Sequence, residues 1–355
     1  METFINYIKI FIIIIFIFSI YYILLIYEIN TEINNLKTEI KNVVLNNNHK
    51  PISNIINKNI YSIIGSHLSK QIDFCDNFYN HYNSLIENKI IIVNFTLKNI
   101  SFPMYIYKKD DYLSKLILKN GYSDKKEFFN ILDALKYYSF KKDIKNNKDI
   151  FILDIGGNIG IYPMFLGLFG YTIISFEPSP INYYILNKNF CNTRKSNIII
   201  INTALSNKES NCKYYFQNNN IGNGMLLCDN FKDFKVRNNF DYFCNVTLLK
   251  LNNFYSFFQN ENIALIKIDI EGSEGNALEG GIDFIEKYHV PFIFMEFTPM
   301  YLKEHNTNPI KLLQLFTDNG YKISLKGFLS KEFISIDYIM KHIKVQINLY
   351  FIYMN

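Results

Sequence analysis

The stretch Phe151–Gly160, FILDIGGNIG, decides the fold. Phe151, Ile152, Leu153 and Ile155 form a short apolar run, as a strand buried on both faces of a parallel sheet requires. Asp154 falls at the strand's end. Gly156, Gly157, Asn158 and Gly160 then make a turn, and the apolar segment Ile161–Gly170 continues as a helix. A glycine turn between strand and helix lets backbone N–H groups approach a ligand closely. An acid at the strand tip suits a cationic or hydroxyl group of that ligand.

Outward from this turn, strands and helices alternate. Ile90–Phe95, Phe102–Tyr107, Tyr171–Phe176, Asn197–Asn202, Ile263–Ile270 and Val290–Phe297 read as strands, with Tyr321–Leu325 and Gln346–Tyr353 as the last ones. Asp124–Tyr138, Pro180–Phe190, Gly281–Lys287 and Pro309–Thr317 have helical spacing. Such alternation predicts an α/β domain with a Rossmann-like, doubly wound, mostly parallel sheet over 89–355. Ligands bind beyond the carboxyl ends of such strands. Asn218–Asn239 reads as a long Asn-rich loop, either an acceptor lid or an expanded surface loop.

Four clusters fall at those ends. Asp154 to Gly160 is the first. Glu177, at the tip of the next strand, is placed to accept both hydroxyls of a ribose. Asn202-Thr203-Ala204 suits the flank of an adenine, and Lys267-Ile268-Asp269-Ile270-Glu271-Gly272 brings two carboxylates and a glycine to one tip. A nicotinamide dinucleotide turn needs G-x-G-x-x-G, and its first glycine would fall on Ile155. The better description is D-x-G-x-N-x-G, through Asp154, Gly156, Asn158 and Gly160. That pattern suits S-adenosylmethionine.

The series LDIGGNIG, SFEPSP, NTALS, KIDIEGSE and FMEF resembles the FkbM-type methyltransferases. The resemblance covers roughly residues 102–353. It implies a seven-stranded sheet of the class I methyltransferase type, S-adenosylmethionine as cofactor, and methylation of hydroxyl groups on sugars or natural products. By resemblance, Asp154, Gly156, Asn158 and Gly160 hold the methionine end, Glu177 the ribose, and Asn202 and Ala204 flank the adenine. Asp269, Glu271 and Gly272 lie at the boundary of cofactor and acceptor, and Asp111, Ser114 and Gly121 belong to the family's leading segment. One departure stands out: Lys250-Leu251-Asn252 replaces the family's Thr-Leu-Asp, and the missing carboxylate puts acceptor choice in question.

Methyl transfer to oxygen needs an aligned acceptor and often a base. Asp269, Glu271 and Glu296 are the candidates, with a metal or a shared proton as the alternative use of acids so close together. His289 reads as structural, and His305 is a candidate to face the acceptor. No metal is assigned: no cysteine pair has CxxC spacing and no HExxH occurs. The competing readings are a nicotinamide-dependent oxidoreductase and a non-catalytic anchored scaffold.

Ile10–Tyr27 carries no charge, and as a helix it would span about 27 Å at about 1.5 Å per residue. It predicts an uncleaved single-pass anchor after a tail at 1–9, with the side of the catalytic domain open. Ile29, Ile33, Leu36, Ile40 and Val43 form a heptad-like seam within a stalk and linker at 28–88, which either pairs two chains through 29–44 or lies on the domain or membrane. The net charge of +5 is scattered, which argues against a nucleic-acid groove. The expected partner is a small-molecule or glycan acceptor. Five cysteines, an odd and sparse set, describe no disulfide framework, though one bridge is allowed. Asn94-Phe95-Thr96, Asn99-Ile100-Ser101 and Asn245-Val246-Thr247 have the glycosylation pattern, which an Asn-rich chain also produces by chance.

Overall fold

The computed structural model describes residues 63–67, 69–71, 74–75, 84–193, 197–217, 220–228, 240–258 and 261–354. Chain contacts divide the protein into Met1–Gly65 and Ser66–Asn355, and the second unit holds the fold. The expected anchor at 10–27, the seam at 29–44 and the linker beyond it lie outside the described residues. Among the described residues no helix is long and apolar enough to cross a membrane.

A hairpin opens the fold, β1 (Ile90–Leu97) and β2 (Ile100–Tyr107), paired antiparallel from Ile90↔Tyr107 to Leu97↔Ile100. Helix α1 (Tyr112–Asn120) follows. Asp111 caps its start by accepting the Ser114 N–H at 2.7 Å, and Gly121 ends it with φ 80°, so these residues of the family's leading segment are the caps of a helix. Helix α2 (Lys125–Lys141) buries Phe128 against Phe165 (4.3 Å between centroids) and Phe95 (6.0 Å), which ties the hairpin to the body.

The alternating part runs β3 (Ile150–Ile155), α3 (Ile161–Gly167), β4 (Thr172–Phe176), α4 (Pro180–Thr193) and β5 (Ile198–Ile201). After an interruption come β6 (Ala204–Leu205), β7 (Ser210–Gln217), β8 (Asn220–Leu227) and β9 (Phe240–Leu249). The chain then resumes with β10 (Asn262–Ile268), α5 (Glu274–Glu279), α6 (Ile282–Tyr288), β11 (Phe292–Phe297), α7 (Pro299–Glu304), α8 (Pro309–Asp318), β12 (Tyr321–Ser324), α9 (Ile336–His342) and β13 (Ile347–Tyr353).

The main sheet has seven strands in the order β12-β13-β11-β10-β3-β4-β5. From β11 to β5 every pairing is parallel, while β13 runs antiparallel to both its neighbours. This is the large, mostly parallel α/β sheet that the sequence predicts. Strand order reverses beside β3: β4 and β5 extend one way, β10 and β11 the other. The crevice that such a reversal opens lies over the tip of β3.

Two expectations need correction. Asn218–Asn239 is not simply a loop: Asn220–Leu227 is strand β8, paired antiparallel with β7 in a four-stranded sheet of order β6-β9-β7-β8. Residues 218–219 and 229–239 of that stretch lie outside the described residues. The cysteines also pair more fully than expected, as Cys75–Cys191 and Cys212–Cys228. The second bridge closes the β7–β8 hairpin where Lys213 faces Leu227.

Candidate functional site

Register alone assembles the centre. Lys267 of β10 lies opposite Asp154 of β3, and Asp154 lies opposite Ser175 of β4. Ser175 donates its hydroxyl hydrogen to Asp154 Oδ2 at 2.7 Å. Lys267 Nζ stands 3.5 Å from Asp154 Oδ1 and 3.4 Å from Asp269 Oδ2, and donates to the Gly156 carbonyl at 2.8 Å. Burial by itself would lower the pKa of Lys267, but Asp269 and Asp154 raise it above its ordinary value. Burial raises that of Asp154, against the opposing pull of Lys267. At 3.5 Å the ammonium is too far for a close hydrogen bond, so Asp154 Oδ1 is a buried acceptor without one among the described residues.

The glycine turn is packed against its neighbours. A Cβ on Gly156, at φ +94°, would meet the Asp269 carbonyl oxygen at 2.0 Å. The Gly156 and Gly157 N–H groups both donate to the Phe176 carbonyl at 3.0 Å, which fastens the turn to the end of β4. Glu177 follows that end. Its two oxygens accept the Asn158 N–H (2.7 Å) and the Ser179 N–H (2.8 Å). Asn202 donates from Nδ2 to the carbonyls of Glu177 (2.8 Å) and Pro178 (3.2 Å), joining the tips of β4 and β5.

Beyond β10 the chain turns through Asp269, Glu271 at φ 57° and Gly272 at φ 105°. Glu274, buried behind the turn, accepts the N–H groups of Ile270 (3.1 Å) and Gly272 (3.2 Å) and shapes it from below. Glu296, near the end of β11, accepts from Gln346 Nε2. Burial first, and then Asp269, Glu271 and Glu274, push the Glu296 pKa well above the carboxylate range. Asp269, Glu271 and Glu296 offer oxygens within 4.8 Å of one another. Acids so close either share protons or hold a cation. Asp124, at the start of α2, adds a further carboxyl to this field. Burial, Glu127 and Asp269 push it up to about 6.

A cavity opens over these tips. Gly156, Asn158, Glu177, Ala204, Asp269 and Glu271 border it, and so do Tyr214, Gly222, Gly224 and Leu226 of the second sheet. The β8 backbone is bolted down at Gly222, whose carbonyl accepts from Asn182 Nδ2 (3.0 Å) and Asn158 Nδ2 (3.3 Å). A Cβ there would meet Asp111 Oδ1 at 2.3 Å. The second sheet is thus one wall of the site, where the sequence left Asn218–Asn239 as either an acceptor lid or a surface loop. The available signal was the pair Gly222 and Gly224, two apart on one face, since strand glycines mark close backbone approach.

Of the other residues singled out in the sequence, Asp154, Gly160, Asn202 and Glu296 stand outside the cavity lining. Gly160 starts α3 at φ 93° against Leu186. His289 stacks on Tyr353 at 4.8 Å. His305 is buried with Nδ1 3.3 Å from Ser273 Oγ, and Ser273 borders the cavity. Asn252, in place of the family's acid, is not among the residues that border the cavity. Its Oδ1 accepts the Phe284 N–H (3.1 Å) and its Nδ2 donates to Asp283 (2.9 Å), so it caps α6.

The lining tests the two cofactors. Glu177 presents acceptors for hydroxyls, and Asp269 and Glu271 present carboxylates that fit the ammonium and sulfonium of S-adenosylmethionine. A dinucleotide pyrophosphate would meet those carboxylates, and the Gly156 and Gly157 N–H groups of the turn already serve the Phe176 carbonyl.

Burial pushes Glu177 up to about 7 from the ordinary 4.5, against the opposing hydrogen bonds from Ser179 and Asn158. Between those values the folded chain holds a proton that the unfolded chain releases. Its contribution to stability is therefore full below about 4.5 and is lost as pH rises through about 7. The ligand-free protein is expected to lose up to ~3 kcal/mol through this group between pH 5 and 8. Melting curves across that range check it: Glu177→Gln should flatten the slope, and an unchanged slope would refute the assignment.

Residues 154–323 match the family model described as Methyltransferase FkbM domain. No curated protein matches the chain in sequence. Among solved structures, the SAM-dependent methyltransferase from Agrobacterium tumefaciens is 8% identical, with 73% of this chain and 69% of that one covered at a TM-score of 0.36. The TehB-like SAM-dependent methyltransferase from Corynebacterium glutamicum is 10% identical, covering 68% and 94% at 0.34. TYW2 of M. jannaschii, crystallised in complex with AdoMet, is 12% identical, covering 75% and 87% at 0.29. Residues 154–323 are thus similar to the methyltransferase FkbM domain, and the cofactor that goes with it is S-adenosylmethionine.

Proposed function

We propose that this chain is a membrane-anchored O-methyltransferase that methylates a hydroxyl of a glycan or a glycan-containing molecule. One observation carries the reading: Glu177 and Gly156, on the cofactor side, border the same cavity as Asp269 and Glu271, on the acceptor side. Bound S-adenosylmethionine supplies an electrophilic methyl group on a sulfonium. Glu177 binds the ribose hydroxyls, and the glycine turn lets the methionine end approach the tip of β3. Asp269 accepts the acceptor's hydroxyl proton as the oxygen is alkylated. Tyr214 and Leu226 shield the cavity on the side of the second sheet. Holding two reactants in line is worth up to roughly 7–11 kcal/mol, so much of the acceleration comes from placement.

The uncharged stretch Ile10–Tyr27 supports a single-pass anchor, and the seam within 29–44 supports pairing of two chains. The scattered charge gives nucleic acid no groove to bind. Calorimetry with S-adenosylmethionine and with NAD separates the readings. Micromolar binding of the first alone is expected, and binding of neither would favour a scaffold. Incubation with a methyl-labelled donor and fractionated membranes should then label a glycan-bearing fraction. Label found only on protein or nucleic acid would overturn the choice of acceptor.

A further inference from the structure

We propose that this domain folds in an oxidising compartment and carries N-linked glycans at Asn94, Asn99 and Asn245. The first observation is the pair of disulfides. Cys75–Cys191 spans 116 positions and Cys212–Cys228 spans 16, and the second is buried beside the cavity wall. Each forms by loss of two electrons and two protons to a thiol–disulfide oxidoreductase, and such bonds persist where thiols are not kept reduced.

The second observation is independent. All three glycosylation patterns lie on the described surface, and each presents both its asparagine and its hydroxyl residue to solvent. Asn94 lies on the outer face of β1, next but one to Ile92, which is 52% exposed. Asn99 sits in the turn between β1 and β2. Asn245 lies on the exposed face of β9, where Tyr242 Oη donates to its Oδ1 at a long 3.5 Å. Exposure of this kind is not general among the asparagines: Asn182, Asn187 and Asn189 are buried, and many others are only half-exposed.

In this modification the asparagine amide nitrogen bonds to the anomeric carbon of a sugar. A lipid pyrophosphate leaves from a lipid-pyrophosphate-linked oligosaccharide, and the amide gives up one proton. None of the three asparagines borders the cavity, so glycans there leave it open. The consequence is topological: the catalytic domain lies across the membrane from the cytosol, and a cytosolic supply of S-adenosylmethionine must be carried over to it.

The test expresses the full chain, with its N-terminal segment, in a cell with a secretory pathway. Peptide N-glycosidase should increase the protein's gel mobility, and Asn94→Gln, Asn99→Gln and Asn245→Gln should each remove one step of that shift. Thr96→Val should remove the Asn94 step and Thr96→Ser should keep it, which separates loss of the site from misfolding. Thiol alkylation of the unreduced protein should reach only Cys244. No shift with glycosidase, a shift that survives in the triple Asn→Gln protein, or alkylation of all five cysteines would each overturn the proposal. None of these readouts depends on methyl transfer.

Discussion

Lys267→Met is expected to destabilise the domain by about 3–5 kcal/mol, the usual cost of leaving a buried charge without its partner. The lysine is buried, and its ammonium faces Asp154, Asp269 and the Gly156 carbonyl. Methionine matches its length and packs well in irregular space, so the loss would be electrostatic rather than a cavity. Asp154 would then sit in a fully buried position with only the Ser175 hydroxyl as donor. Asp269 suffers less, because its side chain is 36% exposed and water reaches it. The double variant Lys267→Met, Asp154→Leu removes both buried charges and should recover much of the loss, as apolar replacement of a whole buried pair often does. Denaturant midpoints of the two variants and the parent decide the matter. A single variant as stable as the parent would mean that the pair contributes nothing to the fold. A double variant no better than the single would move the cost from charge to packing.

The parts of this site that were readable in advance are local ones. The apolar run into DIGGNIG, the strand ending in Glu177 and the acidic tip at Asp269 each carry their signal within about ten residues, and the parallel sheet follows from their alternation. The strand boundaries shift slightly: Ile263–Ile270 is observed as Asn262–Ile268. Past Ile268 the chain leaves the ladder, and the Asp269 N–H closes on the Ile155 carbonyl at 3.0 Å as the acid turn begins. That Asn220–Leu227 is a strand was hidden, because NIGNGMLL is rich in residues that strands disfavour, and only its partners explain them. Gly222 is glycine because Asp111 leaves no room, and Asp111 is 111 positions away. The disulfides were hidden for the same reason, since cysteine spacing does not specify connectivity. Asn252 shows how little a pattern says of contacts. The family pattern marks only an absent carboxylate there, and the contacts show what the asparagine does instead, which is to cap a helix.

Asp269→Asn is expected to lower kcat for methyl transfer by about 10²–10⁴-fold, the range for loss of a positioned base. Three acids compete for that role, and their surroundings distinguish them. Glu296 is buried, bound by Gln346 and raised far above the carboxylate range, so at neutral pH it already holds a proton and has nothing to accept with. Glu271 borders the cavity from a left-handed backbone position in the turn. Asp269 borders it too, and the Lys267 ammonium 3.4 Å from its Oδ2 fixes the carboxylate on the β3 side of the opening. Asparagine keeps the shape and leaves Lys267 its contacts with Asp154 and Gly156, so the fold should survive. Single-turnover rates with a methyl-labelled donor, set beside calorimetric affinity for S-adenosylmethionine, separate catalysis from binding. A fall in rate with affinity held within a few-fold marks the base. Equal losses in both would make Asp269 a cofactor ligand alone, and an unchanged rate would pass the role to Glu271, with Glu271→Gln as the next variant to measure.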